Sequence, residues 1–372
     1  METRNRVMAA AMAMTMTSAM MIGAPLAAAA QPVTLYGVLD TGVEYVNHVG
    51  PSGRSLTRVP TITGTFPSRW GIRGSEDLGG GMKAVFALES GIGMDTGSLN
   101  QGGRLFGLQA WVGLNGPWGQ ASIGRQLTML LWALQDTDVM GPNIYGIGAF
   151  DNYLPNARVD NALAYKGTFG AVTLGATYSP GRDTVNAGPG PSGMNCAGET
   201  PGSSRTCRAW SALLAYRTEH WGVNGAADVS RGGPGAFGGL VRPDQQDRRL
   251  TTGGYVRLDR ARVAVNWIRR DNDATATRSD VFAAGVSYDV TPAFNLAGQV
   301  SRLRYRHGAN AAALLALRGT YSLGRRTMVY ATSGFIDNDG QLALSVSGGA
   351  PGSAPAAGAT QFGTMVGVRH AF

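Results

Sequence analysis

Val33-Thr34-Leu35-Tyr36-Gly37-Val38-Leu39-Asp40-Thr41-Gly42-Val43-Glu44-Tyr45 alternates with a period of two. Val33, Leu35, Leu39 and Val43 share one face, and Thr34, Asp40 and Glu44 share the other. That is a strand with an apolar side and a polar side. The pattern recurs along the chain. Val172, Leu174, Ala176 and Tyr178 oppose Thr173, Gly175 and Thr177; Val263, Val265 and Trp267 oppose Arg262, Asn266 and Arg270. Phe282, Val286 and Tyr288 oppose Ala283, Gly285 and Ser287, and the last segment sets Phe362, Val366, Val368 and Phe372 on one side.

Short turns separate some of these segments, as at Asp77-Leu78-Gly79-Gly80, Gly116-Pro117-Trp118-Gly119, Thr168-Phe169-Gly170 and Thr291-Pro292-Ala293. Long polar connections separate others, over 47–61, 127–157, 179–208, 231–249 and 336–360. Short and long connections in strict alternation mean hairpins whose two ends face different surroundings. The pattern predicts an all-β fold, a sixteen-stranded antiparallel transmembrane β-barrel with tight turns at one end and longer loops at the other. Each strand with its share of connection takes about 21 residues, enough for the roughly 9–11 of a tilted membrane strand. The barrel must close, because in lipid every backbone polar group needs a protein partner. Tyr36, Trp111, Trp118, Tyr178, Trp210, Tyr216 and Tyr288 lie near strand ends and are candidates for interfacial girdles. A soluble sandwich or propeller is the alternative, but it needs neither so regular an apolar face nor such unequal loops.

Composition agrees. The chain has 372 residues, 55 Gly, a formal charge of +8 and 15% charged residues. Its mean hydropathy is −0.06. Past residue 30 no apolar run is long enough for a membrane helix, which excludes a helical bundle. Disorder is excluded by the spread of strand-forming residues, and collagen by the lack of a three-residue glycine period. The first 30 residues read as a secretory signal: Arg4 and Arg6, an apolar stretch from Val7 to Ile22, Pro25, then Ala28-Ala29-Ala30. An uncleaved N-terminal anchor is the alternative. The expected organisation is a signal peptide at 1–30 and one barrel over 31–372. Removing Arg4, Arg6 and Glu2 takes the charge of +8 to about +7.

The stretch Pro67-Ser68-Arg69-Trp70-Gly71-Ile72-Arg73-Gly74-Ser75-Glu76-Asp77-Leu78-Gly79-Gly80-Gly81-Met82-Lys83-Ala84 resembles the trimeric general porins of Gram-negative bacteria, particularly the β-proteobacterial type. Val33-Thr34-Leu35-Tyr36-Gly37 resembles their first strand, and Leu105 to Gln126 their fourth and fifth. The aromatic end, Phe372 after Gly367-Val368-Arg369-His370-Ala371, resembles their signal for the outer-membrane assembly machinery. The resemblance implies a homotrimer in the cell outer membrane, in contact with lipid and lipopolysaccharide. It also implies a third loop folded into the lumen, and Leu127 to Ala157 is the candidate, being long, rich in apolar residues and carrying Asp136, Asp138 and Asp151.

Parity places Arg69, Gly71, Arg73 and Ser75 inward, opposite Trp70 and Ile72, and Glu89 inward with Lys83, opposite Phe86 and Leu88. Arg158 and Lys166 share a face opposite Leu163 and Tyr165. A charge on the lipid face at mid-membrane costs about 2–4 kcal/mol, which decides these facings. The resemblance matches Arg69 and Arg158 to the family's basic cluster, and Glu89 and Asp136 to its acidic side. Leu108 stands where the family commonly has Arg. Arg104, four residues earlier, is a candidate to compensate from the same face. Arg125, Arg262 and Arg318 are further inward candidates. The expected constriction is therefore Arg69, Arg73, Glu89, Arg104, Asp136 and Arg158.

Cys196 and Cys207 share one long loop of an exported protein and are candidates for a disulfide. No metal site or cofactor is expected. Of 32 basic residues only Lys83 and Lys166 are lysines. This fits a preference for anions, and it fits a codon bias equally well. Scattered charges without a basic tract give no reason to expect nucleic-acid binding. Gly79-Gly80-Gly81-Met82-Lys83 lacks phosphate-loop spacing, and His48, His220, His307 and His370 show no placement beside a nucleophile, so no enzyme is expected. The reading is a general diffusion porin for small hydrophilic solutes and ions, mildly anion-selective. A substrate-selective porin and a surface adhesion or binding protein acting through its outer loops are the alternatives.

Overall fold

The computed structural model describes residues 33–182, 196, 198–234, 236, 239–275, 277–348 and 350–372. The segment read as a signal, 1–30, lies outside the described residues. The strands are β1 (Thr34–Val49), β2 (Arg54–Arg58), β3 (Arg69–Gly79), β4 (Met82–Gly91), β5 (Gln109–Gly116) and β6 (Gly119–Leu127). Then come β7 (Arg158–Phe169), β8 (Val172–Ser179), β9 (Gly181–Arg182), β10 (Ala209–Arg217), β11 (Trp221–Arg231) and β12 (Gln246–Leu258). The series ends with β13 (Ala261–Asn272), β14 (Thr277–Thr291), β15 (Phe294–Tyr305), β16 (Ala311–Ser322), β17 (Thr327–Asp339) and β18 (Gln361–Ala371).

Neighbours pair antiparallel in chain order, and β18 returns to β1 in register from Val38↔Ala371 to Val46↔Gly363. The ring therefore has no open edge, as a lipid-facing sheet requires. β2 and β3 both pair with the same side of β1, and β8 and β9 both pair with β7. The 18 strands thus fill sixteen places, the architecture read from the alternation.

Parity sorts the side chains as the sequence required. Leu35 is 60% and Val366 63% exposed on the outer wall, whereas Asp40 and Glu44, of opposite parity to Leu35 in its own strand, are buried inside. Trp118, Tyr178, Trp210, Tyr216 and Tyr288 stay exposed as girdle candidates. Tyr36 and Trp111 do not. Tyr36 points inward and donates to Glu89 at 2.8 Å, and the Trp111 indole donates to Gln109. Their own parity, with Thr34 and with Gln109, was the signal against a lipid position.

Turn chemistry fixes the tight end. Asp77 caps the backbone N–H of Gly79 at 2.8 Å, and Gly79 and Gly80 take φ of 80° and 62°, a region that strains residues with a Cβ. Gly79-Gly80-Gly81-Met82-Lys83, which lacks phosphate-loop spacing, forms this hairpin. At the other end strand pairing runs on into polar sequence. β1 reaches Val49 and β2 begins at Arg54, so much of 47–61 is a polar hairpin rather than a loop. Backbone pairing continues after the side chains turn polar, and hydropathy does not register it.

Between β2 and β3 the edge of β1 loses its strand partner. Ser68 fills the gap: its hydroxyl accepts from the Asp40 N–H and donates to the Asp40 carbonyl, both at 2.8 Å. The segment 59–68 is thereby drawn against the inner wall, with Thr63 and Ser68 buried.

Candidate pore constriction

The connection from β6 to β7 lies along the inner wall. It opens with a helix, Met129–Thr137, and its polar backbone groups are met by inward side chains of successive strands. Ser211 of β10 accepts from the Met129 N–H at 3.0 Å. Asn224 of β11 donates to the Ala133 carbonyl at 3.0 Å, and Asn266 of β13 to that of Thr137 at 3.1 Å. Gln299 of β15 accepts from Val139 and Met140, and Arg318 of β16 donates to the Met140 carbonyl. Leu130, Leu134, Tyr145, Ile147, Tyr153 and Leu154 make this loop the centre of the molecule's apolar core. Small wall residues permit the approach: a Cβ at Gly253 would come 2.9 Å from the Thr137 side chain.

Two other segments meet the loop at Tyr145. Its hydroxyl donates to Glu44 at 2.9 Å, and its N–H donates to the Val346 carbonyl in the β17–β18 connection. Arg58 pairs with Glu44 at 2.7 Å and donates to the carbonyls of Ser347, Ala350 and Pro351. The loop's return leg is anchored by Asp151, 2.8 Å from Arg249 of β12, and by the Tyr153 hydroxyl, which donates to Asp228 at 2.6 Å.

The residues singled out from the sequence divide into groups. Arg69 pairs with Glu89 at 2.9 Å, stacks 4.0 Å from the Phe66 ring centroid and donates to the Pro67 carbonyl. Arg73 lies over the Tyr36 ring at 5.1 Å. Arg158 donates through Nε to the Leu108 carbonyl and through Nη1 to that of Pro155. Asp136 is held by Arg217 at 2.5 Å, on the β10 side of the wall. Glu89 and Asp136 therefore do not form one acidic side facing Arg69; each neutralises its own arginine.

Arg104 and Leu108 precede β5 and do not share a strand face, contrary to the sequence reading. Arg104 pairs with Asp160 at 3.3 Å, beside Arg125 at 2.6 Å. Leu108 is buried, and its carbonyl rather than its side chain serves the wall by accepting from Arg158. Cys196 and Cys207 are joined by a disulfide, and the Cys207 N–H donates to the Gly232 carbonyl at 2.9 Å, linking two outer loops. Phe372 exchanges two backbone hydrogen bonds of 3.1 Å with Gly37 at the barrel seam.

Sequence reasoning missed Arg369, Arg217, Arg249 and Phe66. Arg369 sits on the inward side of β18 with Met365, 5.1 Å from the Phe66 ring. Its parity opposite Val366 and Val368 was the available signal.

Two loop carboxyls are pushed in opposite directions. Burial raises the Asp138 pKa to about 6, against the pull of the Met140 N–H and the Arg318 charge. Burial acts the same way on Asp151, but Arg249 and Arg270 outweigh it and hold that carboxyl at about 2.

A closed barrel with an apolar exterior, a charged inner wall and a loop laid along that wall defines a channel-forming protein of the outer membrane. The chain belongs to the Gram-negative porins, whose family model matches residues 10–341. It is similar to outer membrane porin protein 32 of Delftia acidovorans, 29% identical, covering 93% of this chain and 95% of that one. It is also similar to an outer membrane porin of Bordetella pertussis, 28% identical over 82% and 89% of the two chains. A solved anion-selective porin from Comamonas acidovorans superposes with a TM-score of 0.75 at 25% identity, covering 92% of this chain and all of that one.

Proposed function

We propose that the chain is a general diffusion porin: a water-filled channel passing small hydrophilic solutes and ions passively, with a modest preference for anions. The carrying observation is how the inner wall distributes its charge. Five inward carboxylates are each paired with an arginine: Glu44 with Arg58, Glu89 with Arg69, Asp160 with Arg125, Asp136 with Arg217 and Asp247 with Arg270. Asp40, Asp138 and Asp228 accept instead from the Tyr330 hydroxyl, the Met140 N–H and the Tyr153 hydroxyl. Arg73, Arg318 and Arg369 have no carboxylate within ion-pair distance among the described residues. Arginine stays charged at any physiological pH. Those three arginines put positive charge on the wall, and a low-dielectric surround focuses its field into the lumen.

Within this reading the constriction is drawn from Arg69, Arg73, Glu89 and Arg158. Asp136 and Arg104 belong to the supporting pairs behind it. The similarity to the anion-selective porin of Comamonas acidovorans supports the sign of the preference. The family consists of channels, and the chain is read as one with no enzymatic activity. Removal of 1–30 during export, a homotrimer embedded in lipid and lipopolysaccharide, and recognition of Phe372 by the assembly machinery complete the proposal on the sequence resemblance. Purified protein in a planar bilayer tests it: steps of ohmic conductance are expected, together with swelling of liposomes in small sugars. Membranes that stay sealed in both assays would leave adhesion through the outer loops as the better reading.

A further inference from the structure

A recess of about 160 Å³ lies between the loop helix Met129–Thr137 and the inner faces of β5, β6 and β7. Parity explains its lining. Gln109 and Trp111 share the inward face of β5, opposite Val112 and Leu114, and Gln120 of β6 stands across from Lys166 of β7. Gln120 and Lys166 are close to the tight turns at 116–119 and 168–170. The recess is therefore on the tight-turn side of the helix. Arg69 and Arg158 begin their strands at the opposite end and do not line it.

Its polar groups are unspent. Gln109 Oε1 accepts the Trp111 indole N–H at 3.0 Å, which fixes the ring and leaves Gln109 Nε2 without a hydrogen bond among the described residues. The Gln120 amide makes no side-chain hydrogen bond among the described residues. Lys166 has neither a hydrogen bond nor an ion pair among them; its Nζ lies 3.3 Å from the Trp132 ring centroid. No acidic residue lines the recess among the described residues. Trp111 is half-buried and is packed into neither apolar cluster. An indole turned toward lumen water leaves apolar area that the C–H face of a ligand would cover.

We propose that this recess is a binding subsite for a single pyranose monosaccharide. The C–H face of the sugar lies on the Trp111 ring. Its hydroxyls, each a donor and an acceptor, meet the Gln120 amide, Gln109 Nε2 and the Lys166 ammonium. The volume is below the about 300–1,000 Å³ of drug-sized pockets, so one ring fits and a sugar chain does not. An acyclic polyol offers the same hydroxyls without the flat face. The inference rests on the lumen reading above and names one solute class that the lumen holds in passing.

Single-channel recording in potassium chloride with added D-glucose or sorbitol tests this. Glucose is expected to interrupt the current at a half-blocking concentration at least tenfold below that of sorbitol. Trp111→Ala and Gln120→Ala are each expected to erase that difference. Equal half-block by the two polyols overturns the subsite. A glucose advantage that survives both substitutions overturns its location. Tryptophan emission of the purified protein reads the same recess without any conductance. A saturable change with glucose, absent with sorbitol and lost in Gln120→Ala, is expected. No saturable change overturns the subsite even where the protein conducts. A saturable change in a protein that does not conduct overturns the channel reading instead, so the two failures are distinguishable.

Discussion

Replacing Asp151 with Asn should loosen the third loop where it rejoins the wall. Asp151 Oδ2 lies 2.8 Å from Arg249 Nε and 4.0 Å from Arg270 Nη1, and Oδ1 accepts the Tyr153 N–H at 3.0 Å. Arg249 is 2% exposed, stacks 4.0 Å from the Tyr153 ring and also pairs with Asp247 at 3.2 Å. The asparagine keeps the hydrogen bond to Tyr153 and loses the charge. The carboxyl is held near 2 instead of 3.8, a difference worth about 2–3 kcal/mol. Removing one partner of a buried pair typically costs about 3–5 kcal/mol, but Asp247 remains beside Arg249, so the lower figure applies. Local opening of 128–157 should become about 30- to 150-fold more frequent. Hydrogen exchange of that segment in purified protein at neutral pH reads this directly. The folded carboxyl is depressed, so its contribution is complete above about pH 4 and fades as pH falls through about 2. Asp151→Asn and the unsubstituted chain should therefore converge only in strong acid. Exchange rates within threefold of each other at neutral pH would refute the anchoring role.

The opposite sign is expected at Asp138, whose raised pKa means stability is lost as pH rises from about 3.8 to about 6 and stays lost above. Asp138→Asn should stabilise the loop at pH 7.5 by up to about 3 kcal/mol and leave it unchanged at pH 3.5, as read by exchange of 128–157. At Gly363 an added Cβ would come 2.7 Å from Val346 and 2.9 Å from the Tyr145 hydroxyl. Gly363→Ala should therefore cost about 1–3 kcal/mol and make 340–360 more sensitive to protease. Arg318→Gln and Arg369→Gln should each lower the chloride-to-potassium permeability ratio, and Asp136→Asn, which frees Arg217, should raise it, all read from reversal potentials.

Much of the barrel was legible because its two faces meet different solvents. Period-two alternation in 33–45 assigned Asp40 and Glu44 to the interior and Leu35 and Val43 to lipid, and the structure keeps that parity around the ring. Strand ends were less legible, because polar hairpins such as β1–β2 hold together by backbone bonds that carry no hydropathy signature. The inward side of Arg69, Arg73 and Glu89 followed from parity. Their partners did not, since the Arg69–Glu89 and Asp136–Arg217 pairs depend on cross-strand register and on the path of a loop. Arg104 was misjudged for a related reason: extending β5 back to residue 104 gave it a face it does not have. Tyr145 had no signature at all, because its role arises only where three distant segments converge.

The central claim is that the lumen's unpaired arginines set which ions pass. The reversal potential of the purified protein in a planar bilayer under a tenfold potassium chloride gradient measures this most directly. The account predicts a potential of the sign that marks faster passage of chloride, reduced toward zero by combining Arg73→Gln, Arg318→Gln and Arg369→Gln. A potential favouring potassium, or one unmoved by the three substitutions together, would contradict it.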